Sequence, residues 1–378
     1  MPELHICHVT SVHVPTDGRI LYRECRSIAR RYRVSLVCFG DTTTAAQAVD
    51  GVSVVSAGPR PTSRLRRWRA RTRLAAAAAA LGADLYHFHD PELIGTMLRL
   101  QAHTGAPVVY DVHEHYPDAI TQRPWIPRIA RPLLARIADV RERRSAGTFA
   151  GLVVADDALR RRFEPLNAET VTVRNYPPLS LFDGARVRCA DEPPVLVYAG
   201  SISLVRGLAE MAETIRRVRE RYPEARLVLA GSPTEDGREP LARLHADPDS
   251  GVEHIGPVPY GELGALLASA DVGLSLLRPH PKYEKNVPSK VFDYMAAALP
   301  YVASDIGPLG ALTGGAGGVL VPAGDAAAAA TAVLGLLEDS EAATARAREG
   351  RRAVEERLTW EREADALLGQ YGRLLAQR

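Results

Sequence analysis

Lysine is almost missing from this chain. Of 378 residues only Lys282, Lys285 and Lys290 are lysine, against 44 arginines. Cysteine is scarce too: Cys7, Cys25, Cys38 and Cys189 show no metal-type pairing, and Cys7 and Cys38 fall in strand-like runs. That excludes a disulfide scaffold and a zinc module, and leaves reduced, buried thiols in a cytoplasmic protein as the expectation. Charge of one sign is not in excess. A net charge of +2 gives no global argument for nucleic acid, and neither zinc-finger spacing nor an aromatic-basic recognition motif occurs. No apolar run reaches the roughly 18 residues that a membrane span needs. The opening Met-Pro-Glu leads directly into a strand-like run, so no secretory leader is expected.

The lysines that do occur sit together. Lys282-Tyr-Glu-Lys-Asn-Val-Pro-Ser-Lys290-Val-Phe-Asp293 reads as a loop entering a helix. A flexible ammonium there can do what a planar guanidinium would not. Pro288 pre-sets the first turn, Ser289 and Lys290 add a hydroxyl and a charge, and the free N–H groups of that turn favour a phosphate. The competing reading is a solvated loop that kept lysine by chance.

With 46% hydrophobic and 24% charged residues, the composition is that of a soluble globular protein, and the length points to two domains. Short apolar runs alternate with helical patterns, the mark of a parallel sheet covered on both faces. The first half predicts strands at His5–Val9, Val34–Phe39, Val52–Val55, Leu85–Phe88, Val108–Asp111, Leu152–Val154 and Val171–Val173. Helices are expected over Gly18–Arg31, the alanine run Ala75–Ala80 and Pro127–Ala146. Four prolines, Pro177, Pro178, Pro193 and Pro194, mark residues 177–194 as a linker. Alternation then restarts, with strands at Val195–Tyr198, Leu227–Leu229, Val252–Ile255, Val272–Leu276, Tyr301–Ala303 and Gly318–Val321. Helices are expected at Val205–Arg221, Arg238–His245, Tyr260–Ser269 and Pro288–Ala298. Apolar residues at helical spacing from Trp360 to Leu375 predict a closing helix. The organisation is therefore a domain over 1–176, the linker, a domain over 195–358 and a terminal helix over 359–378. In doubly wound domains ligands bind at the carboxyl ends of strands, here inside the cleft expected between two facing units.

Five motifs in register carry a resemblance. His87-Phe-His-Asp-Pro-Glu92, Val109-Tyr-Asp-Val-His-Glu114, Val173-Arg-Asn-Tyr-Pro177, Ala199-Gly200-Ser-Ile-Ser-Leu-Val-Arg206-Gly207 and Asn286-Val-Pro-Ser-Lys-Val-Phe-Asp-Tyr-Met-Ala-Ala297 resemble those of retaining glycosyltransferases of the GT-B fold, family 4. The resemblance implies two Rossmann-like domains. The first would hold an acceptor, whether saccharide, lipid-linked or small-molecule, and the second a nucleotide-sugar, with uridine the expected base. No cofactor and no metal would be needed, and the last helix would cross back onto the first domain.

By the same resemblance Arg206 contacts the donor diphosphate, Asp293 the ribose, and His113 the donor sugar near the reacting carbon. Arg206, Lys290 and His113 form the catalytic set. Gly200, Ser201, Pro257, Val258, Glu284, Val287, Pro288 and Ser289 complete the donor site. Ser201 stands where many relatives carry a second basic residue, and Lys285 where many carry a sugar-contacting glutamate, which moves that role to Glu284. Asp293 is one methylene shorter than the family's glutamate. On the acceptor side lie His13, Asp17, Arg19, His89 and Glu114; His13 is a candidate base for an inverting alternative, and Asp17 has a competing role as a helix cap. A nucleotide-sugar epimerase on the same fold is the other alternative. His87, His89, Asp90, Glu114 and His115 crowd two strand-end loops in a pattern that raises metal binding, which the resemblance argues against. Asp247-Pro-Asp249 is read as a turn.

One segment stays outside these roles. Arg60, Arg64, Arg66, Arg67, Arg69, Arg71 and Arg73, with Leu65 and Trp68 among them, read as a solvated helix face, as a site for a phosphorylated acceptor, or as a peripheral contact with the anionic inner face of a membrane.

Overall fold

The computed structural model describes residues 3–40, 51–121, 123, 126–182, 192–280, 283 and 288–377. Glu284 and Val287, with Lys282, Lys285, Cys189 and the middle of the expected linker, lie outside the described residues. The chain divides into two compact units, Met1–Asn175 with Glu361–Arg378, and Tyr176–Trp360.

Among the described residues seven parallel strands build the first unit: β1 (His5–Val9), β2 (Arg33–Cys38), β3 (Val52–Ser56), β4 (Leu85–Phe88), β5 (Val108–Val112), β6 (Gly151–Val154) and β7 (Thr170–Thr172). Their order is β3-β2-β1-β4-β5-β6-β7. The second unit has six, β8 (Val195–Ala199), β9 (Arg226–Ala230), β10 (Val252–Gly256), β11 (Val272–Ser275), β12 (Tyr301–Ser304) and β13 (Gly318–Val321), ordered β10-β9-β8-β11-β12-β13. Strand order reverses beside β1 in one sheet and beside β8 in the other, and loops at such switch points diverge to leave room for a ligand.

Both faces of these sheets are covered, which is why the strands read as continuous apolar runs. In β8, Val195 and Val197 join one buried cluster with Phe292, Met295 and Tyr301. Leu196 and Tyr198 join the other, with Met211, Ile215 and Leu229. The two-residue alternation of the strand thus divides its side chains between two layers.

The segment expected as an ordinary helix over Gly18–Arg31 is different. Residues Ile20–Cys25 form a π-helical turn that continues into a short α-helix, Arg26–Ile28. The carboxylate of Asp17 accepts from the N–H groups of Arg19 and Ile20 at 2.9 and 3.0 Å, and the Glu24 N–H donates to Arg19 O at 3.0 Å. The wider turn puts Arg19 and Glu24, five residues apart, on one buried side, Nε to Oε1 at 2.9 Å. A local departure of this kind is common where side chains must converge.

The closing helix Trp360–Ala376 belongs, from Glu361 on, with the first unit. Gln370 Nε2 donates to the backbone oxygens of Leu152 and Glu169 at 3.1 and 2.6 Å, and Glu363 accepts from the Arg174 N–H at 2.7 Å.

Gly207 ends the loop after β8 with φ of +87°, and a Cβ there would collide with the carbonyl of Leu276. Gly207→Ala should therefore destabilise the protein by ~2–3 kcal/mol. Gly335, exposed in the helix Ala326–Glu338 with open space around it, should gain ~0.5–1 kcal/mol on replacement by alanine. Urea unfolding of the two variants checks both signs.

Candidate functional site

In the first unit the carboxyl ends of β1, β4 and β5 bring a polar cluster together. His8, His87 and His89 are fully buried and stack on one another, with ring centroids 4.5 to 5.2 Å apart. His87 and His89 point to the same face because they alternate along one strand. His8 Nδ1 lies 3.0 Å from His89 Nε2, and the Tyr371 hydroxyl of the closing helix bonds both His87 and His8. His89 Nδ1 and His113 Nε2 meet Asp111 Oδ2 at 3.2 and 3.0 Å.

Asp111 is the electrostatic centre of this group. The guanidinium of Arg19 forks onto both its oxygens at 3.1 Å and donates to Val173 O at 3.0 Å. Burial opposes the charge on Asp111, but Arg19 and His113 overcome it and hold the carboxylate well below its ordinary pKa. Glu24, buried beside it, is pushed well above the usual range by burial and by the Asp111 charge. Burial lowers His8 to about 3 and carries His87 and His89 well below their ordinary values, so all three imidazoles are neutral. Donor atoms of Glu24, His87, His89 and Asp111 lie within 4.8 Å of one another. That is a metal-ligand set by chemistry, yet the Arg19 guanidinium already meets both of its carboxylates.

Above the cluster opens a cavity of about 470 Å³, lined among others by His13, Arg64, Arg67, His89, His113 and Arg123. Asp90 and Glu92 also line it but are engaged. Asp90 Oδ2 accepts from Thr10 Oγ1, Ser11 N and Val12 N at 2.8, 2.6 and 3.3 Å, and Glu92 pairs with Arg67 at 2.8 Å. His13 Nδ1 sits 3.0 Å from Thr10 Oγ1 and 3.5 Å from Asp90 Oδ1.

Of the acceptor-side residues expected from the sequence, His13, His89 and Glu114 reach this cavity, as does His113. Two do not. Asp17 caps the π-turn with its Oδ1, the competing role read for it from the sequence, and Arg19, expected on the acceptor side, is buried with its guanidinium on Asp111. Sequence reasoning missed Glu24 and His8, and took Tyr371 for an apolar helix residue. The β1 pattern His5-Ile-Cys-His8 was the available signal.

In the second unit the cations gather at the end of β8. Lys290 lies in the first turn of the helix Ser289–Ala296, with Pro288 at its cap position. Its Nζ sits 5.3 Å from the centre of the Tyr198 ring. Burial first, then the neighbouring charge of Arg206, lowers its pKa to about 7, with Asp293 opposing. Arg206 bonds the hydroxyls of Tyr198 and Tyr283, and those two groups raise its pKa against burial. Gly200 has φ of +143°, and a Cβ there would overlap the Lys290 side chain. Asp293 is buried and accepts from the Tyr260 hydroxyl at 3.0 Å. Ser201 is exposed beyond Gly200, and Pro257 and Val258 follow β10. Tyr198, Tyr260 and Tyr283 were not singled out in the sequence.

Comparisons with known proteins agree on both units. A family model described as Glycosyltransferase Family 4 matches residues 18–175, and one described as Glycosyl transferases group 1 matches residues 193–339. The chain is 26% identical over 290 residues to a glycogen synthase of Mycobacterium tuberculosis, covering 76% of this chain and 68% of that protein. It is 27% identical over 263 residues to a phosphatidyl-myo-inositol mannosyltransferase of Mycolicibacterium smegmatis, covering 68% and 63%. Among solved structures, sucrose-phosphate synthase from Thermosynechococcus elongatus superimposes with a TM-score of 0.74 at 19% identity, over 99% of this chain and 100% of that one. Anabaena HepE in complex with UDP-glucose does so with a TM-score of 0.72 at 14% identity, over 98% and 100%.

The buried neutral histidines set a pH dependence. Below about 6.5 the unfolded chain takes up protons that His8, His87 and His89 refuse, so stability must fall as pH drops. Each contributes up to ~1.4 kcal/mol per pH unit, and the proton held by native Glu24, whose carboxyl is raised, offsets about one of the three. Urea midpoints between pH 6.5 and 4.5 should show this slope, and His8→Asn should reduce it by up to ~1.4 kcal/mol per pH unit.

Proposed function

The chain is a glycosyltransferase of the GT-B fold, and we propose that it moves a sugar from a uridine diphosphate donor to an acceptor hydroxyl with retention of configuration and without a metal. The observation that carries this reading is the pairing of Arg206 and Lys290 beside Gly200. Two cations of like sign, one of them losing its proton near neutral pH, are held where only a glycine backbone fits, and a diphosphate relieves their repulsion. The N–H groups in the first turn of the helix Ser289–Ala296 add donors to the same place.

In this scheme the donor lies on the second unit. The base meets the backbone around Pro257 and Val258, the ribose hydroxyls meet Asp293 and Ser289, and the diphosphate meets Arg206, Lys290 and Gly200. Glu284 and Val287 are assigned to the sugar and nucleotide by resemblance. As the glycosidic bond breaks, negative charge grows on the departing phosphate, and Arg206 and Lys290, already positioned, stabilise it without reorganisation. His113, its imidazole held by Asp111, is assigned to the sugar by resemblance, and the acceptor is assigned to the cavity of His13, His89 and Glu114.

A UDP-linked donor is supported by HepE, a structural neighbour solved with UDP-glucose. One observation favours a second reading. His13, 3.5 Å from Asp90, has the base-and-orienter arrangement of an inverting enzyme. The anomeric configuration of the product, read by NMR, separates the two, and incubation of donor alone tests for an epimerase.

Lys290→Ala and Arg206→Ala should each lower turnover by about a hundredfold while leaving the unfolding midpoint unchanged; undiminished turnover in both would contradict the scheme. Proton loss at Lys290 also predicts that UDP affinity weakens several-fold from pH 7 to 9, where a terminal phosphate of pKa about 6 is already ionised. Titration calorimetry should show this slope in the native protein and a flat profile in Lys290→Arg, whose charge persists.

A further inference from the structure

The helix Arg131–Ala146 is amphipathic in the wrong direction for its own fold. Its buried side consists of small or polar residues, Ala135, Glu142, Ser145 and Ala146. Leu133, Ile137 and Val140, spaced four and three apart and so on one face, point outward with 62%, 53% and 38% of their surface exposed. Ile129, one turn earlier, is 93% exposed. Leu133, Ile137 and Val140 line a groove of about 570 Å³ with Arg136, Arg141 and Arg144. An apolar stripe of this length is not the scattered exposure that any surface shows.

Charge around the stripe is sorted by sign. The two acids of the helix turn away from it: Asp139 and Glu142 pair with Arg162 at 2.6 and 2.8 Å, and Glu142 also accepts from the Tyr110 hydroxyl. Arg128, Arg136, Arg141, Arg143 and Arg144 are exposed. The basic surface continues across the neighbouring helix Ile94–Thr104, where a Cβ at Gly95 would lie 3.1 Å from the Arg141 guanidinium. Beyond it, in the helix Arg64–Ala80, Arg71 lies over the half-exposed ring of Trp68 at 3.7 Å. Burial and the charges of Arg99 and Arg141 lower the pKa of Arg71, so these three arginines share one region.

We propose that this face seats the first unit on an anionic membrane surface, with the helix Arg131–Ala146 lying in the plane of the interface. Ile129, Leu133, Ile137 and Val140 enter the boundary between headgroups and acyl chains, and Arg136, Arg141 and Arg144 meet lipid phosphates while their stems cover apolar surface. A second copy of the chain fits less well, because a self-complementary contact through this stripe would set one arginine row against another. No helix among the described residues is long and apolar enough to cross a membrane, so the contact is peripheral. It involves neither Arg206 nor Lys290 and stands apart from the choice of donor.

Co-sedimentation of the full chain with vesicles of phosphatidylcholine, with and without phosphatidylglycerol, tests the proposal. The native protein should pellet with the mixed vesicles, and added salt should release part of it. Leu133→Gln/Ile137→Gln/Val140→Gln and Arg136→Gln/Arg141→Gln/Arg144→Gln should each weaken this binding by at least about tenfold. All six positions are exposed, and an unchanged thermal midpoint confirms that the variants fold. Native protein left in the supernatant, or variants that bind as the native protein does, would overturn the proposal. So would a concentration-dependent dimer in sedimentation velocity that Leu133→Gln/Ile137→Gln/Val140→Gln abolishes while vesicle binding is kept.

Discussion

Two positive side chains that repel one another organise the second unit. Arg206 and Lys290 come from different loops, one after β8 and one at a helix start, and the polypeptide brings them together at a switch point of the sheet. Their closeness is visible in Lys290, which loses its proton near pH 7 because burial and Arg206 both act against its charge. Tyr198 serves both, its hydroxyl bonding Arg206 and its ring facing the ammonium. Gly200 leaves room that any side chain would fill. Such an arrangement is unfavourable until an anion completes it, which is the reason for proposing it as a binding site.

The first unit solves a different electrostatic problem. A buried carboxylate, Asp111, is kept ionised by a guanidinium and two imidazoles, while Glu24 beside it is driven toward the neutral form. Truncating one member would leave a charge or a polar group buried without its partner, and the effect on folding would exceed that of a surface ion pair. His8, His87 and His89 are neutral, so they can accept or donate hydrogen bonds beneath the cavity without adding charge. His13 and His113 stand at the edge of this network, between its rigid interior and the cavity.

Much of this was legible in the sequence. Strands buried on both faces announce themselves as short apolar runs, and the solitary lysine group drew notice to the helix start at which Lys290 lies beside Tyr198. His87 and His89 could be placed on one face from strand alternation alone. What escaped depends on packing. A π-turn has no sequence period, so Gly18–Arg31 read as an ordinary helix and the meeting of Arg19 with Glu24 was missed. Tyr371 counted as apolar because hydrophobic spacing says nothing of where a hydroxyl ends. The helix Arg131–Ala146 was located, but periodicity does not tell which face of a helix its own domain covers.

The central claim is that Arg206 and Lys290 receive the diphosphate of a nucleotide-sugar. A crystal structure of the chain soaked with a uridine diphosphate sugar tests it most directly. The account predicts phosphate density within hydrogen-bond distance of both side chains and of the Gly200 backbone. Density for the diphosphate elsewhere, with these three residues untouched, would contradict it.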